Sequence, residues 1–199
     1  MTGQSKSDEE EHQMETDRCL ILDPSGVLGR KCAGEERVLT TARCLERAAE
    51  RSAHMVVILF GNISSARQGG LVDFVSILKR NAKTADVAVV AVLPARHRLL
   101  IEALKMVQTD YVLIIPKNTT DSYCIGASLN KLTPQDHPEH ILKEICPRLN
   151  YSPIDSQREI MLCGAYRDRM VLGGSRLRET CETSAHLDCE FYLNPRPSA

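Results

Sequence analysis

"MVVILFGNISSARQGGLVDFVSILKRNAKTADVAVVAVLPARHRLLIEALKMVQTDYVLIIP", residues 55–116, decides the fold. It holds three apolar runs, MVVILF (55–60), VAVVAVL (87–93) and YVLIIP (111–116), with no polar alternation. Runs of this kind suit strands covered on both faces rather than strands with one wet side. Gly61-Asn62, Pro94 and Pro116 close them, and Gly69-Gly70 reads as part of a loop. Between the runs the period changes. Leu71, Phe74, Val75 and Leu78 recur at i, i+3, i+4 and i+7, the stripe of a helix over 71–80. RLLIEALKMV (98–107) predicts a second helix with Leu100, Ala103 and Val107 on one face. Strand and helix alternating through short loops imply a parallel sheet wrapped by helices and joined by right-handed crossovers.

The same rhythm extends outward. Upstream, CLILDP (19–24) reads as a short buried strand and RVLTT (37–41) as a weaker one. ARCLERAAERS (42–52) is helix-like, with Leu45 and Ala49 at i, i+4. DPSG (23–26) follows a strand and could hold a small anion, although a plain turn is the simpler reading. Downstream, residues 117–135 are polar and turn-rich. PEHILKEIC (138–146) then predicts a helix that would cover the sheet edge with Ile141, Leu142 and Ile145; Pro138 suits its first turn and Pro147 stops it. After residue 150 the pattern breaks into short pieces, with turns at Ser152-Pro153 and Gly173-Gly174.

The fold expected is therefore α/β, a small doubly wound parallel sheet of receiver or flavodoxin type followed by an irregular cysteine-rich module. The divisions are a disordered acidic tail at 1–17, the α/β domain at 18–145 and the module at 146–199. The tail carries Asp8, Glu9, Glu10, Glu11, Glu15 and Asp17 against Lys6 alone, with no apolar period to support a fold. Overall charge is −1, so nothing global calls for nucleic acid or an anionic membrane. No stretch reaches the length of an apolar membrane span. The N-terminus is acidic where a signal peptide would be basic. A cytosolic chain is expected. There thiols stay reduced, so eight cysteines suggest metal ligation, redox chemistry or plain burial rather than a disulfide scaffold.

The segment 37–116 resembles a bacterial response-regulator receiver domain. LVDFVSILKR is similar to the helix after the phosphorylation loop, VAVVAVL to the strand that carries the switch hydroxyl, and DYVLIIP to the strand that ends in Lys-Pro. The resemblance also shows what is missing. Gly61-Asn62 stands where receivers place the carboxylate nucleophile, and an amide cannot accept a phosphoryl group in its place. Pro94 occupies the switch Ser/Thr position and Ile115 that of the lysine. Asp23 alone remains of the paired acids that hold magnesium. The chain between residues 24 and 37 is too short for a full first helix. The resemblance thus implies a pseudo-receiver, kept for binding or dimerisation in signal transduction, and a protein partner or homodimer.

Cys146, Cys163, Cys181 and Cys189 have 16, 17 and 7 residues between them, which is no zinc-knuckle spacing. They nevertheless occupy the part of the chain poorest in apolar periodicity, where a metal could supply folding free energy. The layout from Cys-Pro at 146 to the aromatics at 191–192 resembles a four-cysteine module appended to many bacterial proteins. Four thiolates can hold zinc or a 4Fe–4S cluster, and His186 could replace one of them. The competing reading is four small buried apolar residues. Cys19 and Cys44 read as core, and Cys32 and Cys124 as loop residues. Arg96, His97, Arg98 and Lys105 follow the fourth strand, either as a patch for an anionic partner or as a solvated helix face.

Two function classes remain in view. One is a non-catalytic regulatory or interaction protein with a thiol-bound metal. The other is a small iron–sulfur electron carrier docking through its α/β domain. No GxxxxGK, GxGxxG or GxSxG motif marks an enzyme, and an enzyme would have to use Asp23, Asn62 and His97.

Overall fold

The computed structural model describes residues 19–29, 35–50, 53–61, 65–116, 122–155, 158–166 and 170–196. The acidic segment 1–17, Cys32 and Asn62 lie outside these residues, as does the side chain of Cys124.

Five strands form one parallel sheet: β1 (Cys19–Leu22), β2 (Glu36–Val38), β3 (Met55–Leu59), β4 (Ala88–Leu93) and β5 (Tyr111–Ile114), in the order β2-β1-β3-β4-β5. The connecting helices are α1 (Thr41–Glu50), α2 (Ser65–Arg80) and α3 (Arg98–Met106), followed by α4 (Ser122–Leu129) and α5 (Pro138–Glu144). This is an α/β fold compatible with the receiver-like class. Among the described residues no helix is long and apolar enough to cross a membrane.

Alternate strand residues belong to two separate buried clusters. Leu20, Leu22, Val56, Ile58, Val89, Ala91 and Leu93 pack with Cys44 and Ala48 of α1, with Leu71, Phe74, Val75 and Leu78 of α2, and with Ile101 and Leu104 of α3. Ile21, Val57, Leu59, Val90 and Val92 pack instead with Leu28 and with Ile125 of α4. Because β1, β3 and β4 contribute to both clusters, they read in the sequence as unbroken apolar runs, whereas β2 at the edge, Glu36-Arg37-Val38, does not.

Several local expectations change. Gly69-Gly70 is not a loop: α2 begins at Ser65 and runs through both glycines. They face outward, and the buried stripe that follows holds the helix against their low propensity. In α1 the buried residues are Cys44 and Ala48 rather than Leu45 and Ala49, and in α3 they are Ile101 and Leu104 rather than Leu100, Ala103 and Val107. Each helix is turned by one residue from its expected stripe. The region read as turns at 117–135 contains α4, and a 3₁₀ turn at Pro134–Asp136 touches β5. α5 packs chiefly on α3, with Ile141 and the following Ile145 in the same buried cluster as Val112 of β5.

The C-terminal part opens with an antiparallel hairpin that the sequence pattern did not reveal, β6 (Leu149–Pro153) paired with β7 (Glu159–Cys163). Short helical turns follow at Gly174–Arg176, Leu177–Cys181, Ser184–Asp188 and Glu190–Leu193, the second of them π-helical. Cys146, Leu149, Cys163, Leu172, Leu177 and Cys181 join the same buried cluster as α2 and α3.

Candidate metal centre

Four separate local structures carry the four thiols. α5 ends at Glu144, and Pro147, which has no N–H, keeps the helix from resuming. Cys146 is left in a turn whose carbonyl accepts from Leu149 N–H at 3.2 Å, where β6 begins. Cys163 closes β7 and is the cross-strand partner of Leu149. Next to it, Gly164 N–H donates to the Arg148 carbonyl at 2.8 Å. A Cβ on Gly164 would stand 2.7 Å from Asn150 Nδ2 and 2.9 Å from that carbonyl, so only glycine fits. Cys181 ends the π-helical turn, and its carbonyl accepts from Cys146 N–H at 2.8 Å. Cys189 caps the last turn, accepting from Tyr192 and Leu193 N–H through its carbonyl.

Cys146, Cys163 and Cys181 are buried and Cys189 is half-buried; all are free thiols. Burial is the first cause that pushes the Cys181 thiol up to about 11. Negative charge on Cys146, Cys163 and Cys189 pushes it the same way, and Arg176 opposes them. Burial likewise raises Cys146. A backbone hydrogen bond from Arg148 pulls it back, Cys163 and Cys189 raise it further, and Arg98 lowers it. Cys181 therefore feels the other three thiols, and Cys146 feels two of them. The Arg176 guanidinium also lies 4.0 Å from the Cys189 sulfur. Among the described residues, however, no group of three or more His, Cys, Asp or Glu side chains is disposed to hold a metal ion as it stands. The cysteines are neighbours electrostatically without forming a closed ligand cage.

His186, the alternative ligand, is buried. Its Nδ1 lies 2.7 Å from the Thr183 carbonyl and 3.2 Å from the Glu144 carbonyl. Both partners are acceptors, so Nδ1 carries the proton and the ring braces the chain before Cys189 against α5. The ring meets Tyr192 edge-on.

Arg96, His97 and Arg98 are not a free patch. Arg96 Nη1 donates to the Glu182 carbonyl at 2.7 Å and pairs with Glu144 at 2.6 Å. His97 Nδ1 accepts from Leu100 N–H, capping α3, while Nε2 lies 2.7 Å from Glu159 Oε1. Its ring stacks on Tyr151 with centroids 4.1 Å apart. Arg98 N–H donates to the Tyr151 hydroxyl at 2.9 Å, and its Nη1 donates to the Ile145 carbonyl at 2.8 Å. Lys105 alone of the four stays exposed. Nothing in the local pattern signals these roles, because most of the partners, Glu144, Ile145, Tyr151, Glu159 and Glu182, lie more than 40 residues along the chain.

The Asp23 carboxylate is buried and occupied. It accepts from Ser25 N–H and Oγ–H, Gly26 N–H and Leu28 N–H, closing the turn in which Gly26 takes φ +64°. The plain-turn reading of DPSG accounts for these bonds. Pro147, Arg148, Tyr192 and Leu193 line an open groove of about 540 Å³ beside the Cys146 and Cys189 segments. No protein-family model matches the chain, and no curated protein is similar to it in sequence.

Proposed function

We propose that this chain is a non-catalytic regulatory or interaction protein. In this reading a doubly wound, receiver-like sheet without a phosphoacceptor carries a module that binds a thiolate-preferring metal through Cys146, Cys163, Cys181 and Cys189. The single observation that carries it is the shared electrostatic neighbourhood of the four sulfurs, of which Cys181 feels the other three. The Cys146–Cys181 backbone bond joins two of the four segments. Buried thiols with raised pKa stay protonated when no cation is near. A soft divalent ion would displace those protons and draw the sulfurs inward, the linkage expected of a site that completes itself on binding. Zinc and a 4Fe–4S cluster share this ligand chemistry.

Elemental analysis of anaerobically purified protein, beside Cys181→Ala, tests the reading. One zinc per chain, lost in the variant, supports a structural centre. Iron and sulfide with a visible absorbance band support the electron-transfer form. Protein free of both refutes the centre and leaves a scaffold with buried cysteines. Incubation with a small phosphodonor is expected to leave the chain unmodified, and a stable acyl-phosphate adduct would overturn the pseudo-receiver reading.

A further inference from the structure

Arg37, Arg43, Arg47, Arg96, Arg98 and Arg158 each pair with a carboxylate. Arg148, Arg176 and Arg196 are exposed, and among the described residues none of the three has a carboxylate partner. The chain nevertheless gathers them. Arg148 accepts through its carbonyl from Gly164 N–H at 2.8 Å, and the next residue, Ala165, accepts from Arg196 N–H at 2.6 Å. Tyr166 follows, its ring centroid 5.0 Å from that of Phe191. The Arg176 guanidinium lies 5.0 Å from the centre of the same Phe191 ring. Residues 164–166 are thus the common support of three arginines. The neighbouring acids Asp188 and Glu190 are exposed and, among the described residues, bridge to none of them.

Arg148 also lines the open groove of about 540 Å³, together with Pro147, Tyr192 and Leu193. Leu193 is 61% exposed and Pro147 is exposed, so this groove shows apolar surface beside the cations. The aromatic rings are already engaged: Phe191 by Tyr166 and Arg176, and Tyr192 by the edge of His186. They offer no free pair of faces on which nucleotide bases could stack. A guanidinium with no internal partner forks readily onto a carboxylate. Apolar surface bordered by charge is also the usual anatomy of a protein-binding patch.

We propose that this surface docks an acidic segment of a partner protein, with Arg148, Arg176 and Arg196 receiving its carboxylates and Pro147 and Leu193 an apolar side chain beside them. Charge complementarity selects the occupant: a carboxylate-rich chain balances three cations that the described residues leave unbalanced. The inference gives the interaction reading a partner and needs no ion at the thiols. Loss of the thiol centre would leave the groove standing, and failure of the groove would leave the thiol centre untouched.

The test uses the full chain and a short synthetic peptide of alternating glutamate and glycine with one central leucine. Binding is followed by fluorescence anisotropy of the labelled peptide, without added metal. The expected result is binding that weakens with salt, and weakens roughly 10-fold in Arg148→Glu and in Arg196→Glu. Leu193→Ser should also weaken it, whereas Arg80→Glu, an exposed reversal at the far end of α2, should not. The same peptide with glutamine for glutamate should not bind. Equal losses in Arg80→Glu and Arg148→Glu would mean unspecific attraction and overturn the site. Tighter binding of an oligothymidylate than of the peptide would overturn the choice of partner. A further chain carries amides in place of Asp8, Glu9, Glu10, Glu11, Glu15 and Asp17. If only that chain binds the peptide, the acidic segment 1–17 is itself the occupant and the partner assignment falls. No binding by either chain up to about 1 mM peptide overturns the proposal outright.

Discussion

The backbone N–H of Cys146 donates to the carbonyl of Cys181 at 2.8 Å, tying the end of α5 to the end of a π-helical turn far along the chain. Two thiol-bearing residues are thereby fixed to each other through main-chain atoms, whatever their sulfurs do. A metal ion held by these thiols would then call for side-chain adjustment more than chain rearrangement.

Metal affinity is expected to rise with pH. The Cys181 thiol stands near 11 and Cys146 is also raised, so both enter the reaction protonated at neutral pH. Each thiol that becomes a ligand releases a proton, and affinity climbs as protons grow scarcer. Zinc competition titrations at about pH 6 and about pH 8 should show tighter binding at the higher value. Equal affinity at both would mean that the thiols are not the ligands.

The metal-free fold is expected to weaken in alkali. Burial pushes Cys44 from 9.0 to about 12 and Tyr151 from 10.0 to about 12. The folded state therefore holds these protons more tightly than the unfolded chain does. Their contribution is complete below the unfolded values and is lost as pH rises through the folded ones, with the decline beginning near pH 9. Urea midpoints should fall from pH 9 upward, and less steeply in Cys44→Ala, which is weaker overall but has one titrating group fewer. A midpoint that stays flat through that range would contradict this.

Two glycine substitutions are expected to have opposite signs. Gly69→Ala places a methyl in open space on an exposed face of α2 and should stabilise by about 1 kcal/mol. Gly164→Ala drives a methyl into the Arg148 carbonyl and Asn150, and should cost about 1–3 kcal/mol while displacing Cys163. Chemical denaturation of the two variants checks both signs.

Tyr151→Phe keeps the stack on His97 but removes the acceptor of Arg98 N–H. A loss of about 1 kcal/mol is expected, the usual net value of one hydrogen bond. Denaturant midpoints beside wild type measure it, and an unchanged midpoint would show that water replaces the hydroxyl.

The central strands were legible because β3 and β4 are buried on both faces, which leaves runs such as MVVILF with no polar break. The helices were legible in extent but not in rotation. α3 offers Leu100 and Ile101 side by side, and apolar spacing cannot say which of two adjacent stripes faces inward. The hairpin escaped notice because β6 and β7 are mostly half-exposed and β6 ends in proline. For the candidate site, the sequence named the four cysteines but not their supports. The tasks of His186 and Arg98 depend on carbonyl groups, and a carbonyl leaves no trace in side-chain pattern.

Among the described residues the two flanks of the sheet are unequally roofed. Three helices lie over one, whereas among the described residues the other is met chiefly by Leu28 and by Ile125 of α4. Thermal breathing and the first protease cuts should therefore begin at α4. A charged residue at position 125 would let water onto Val57 and Val90 while the opposite side still held.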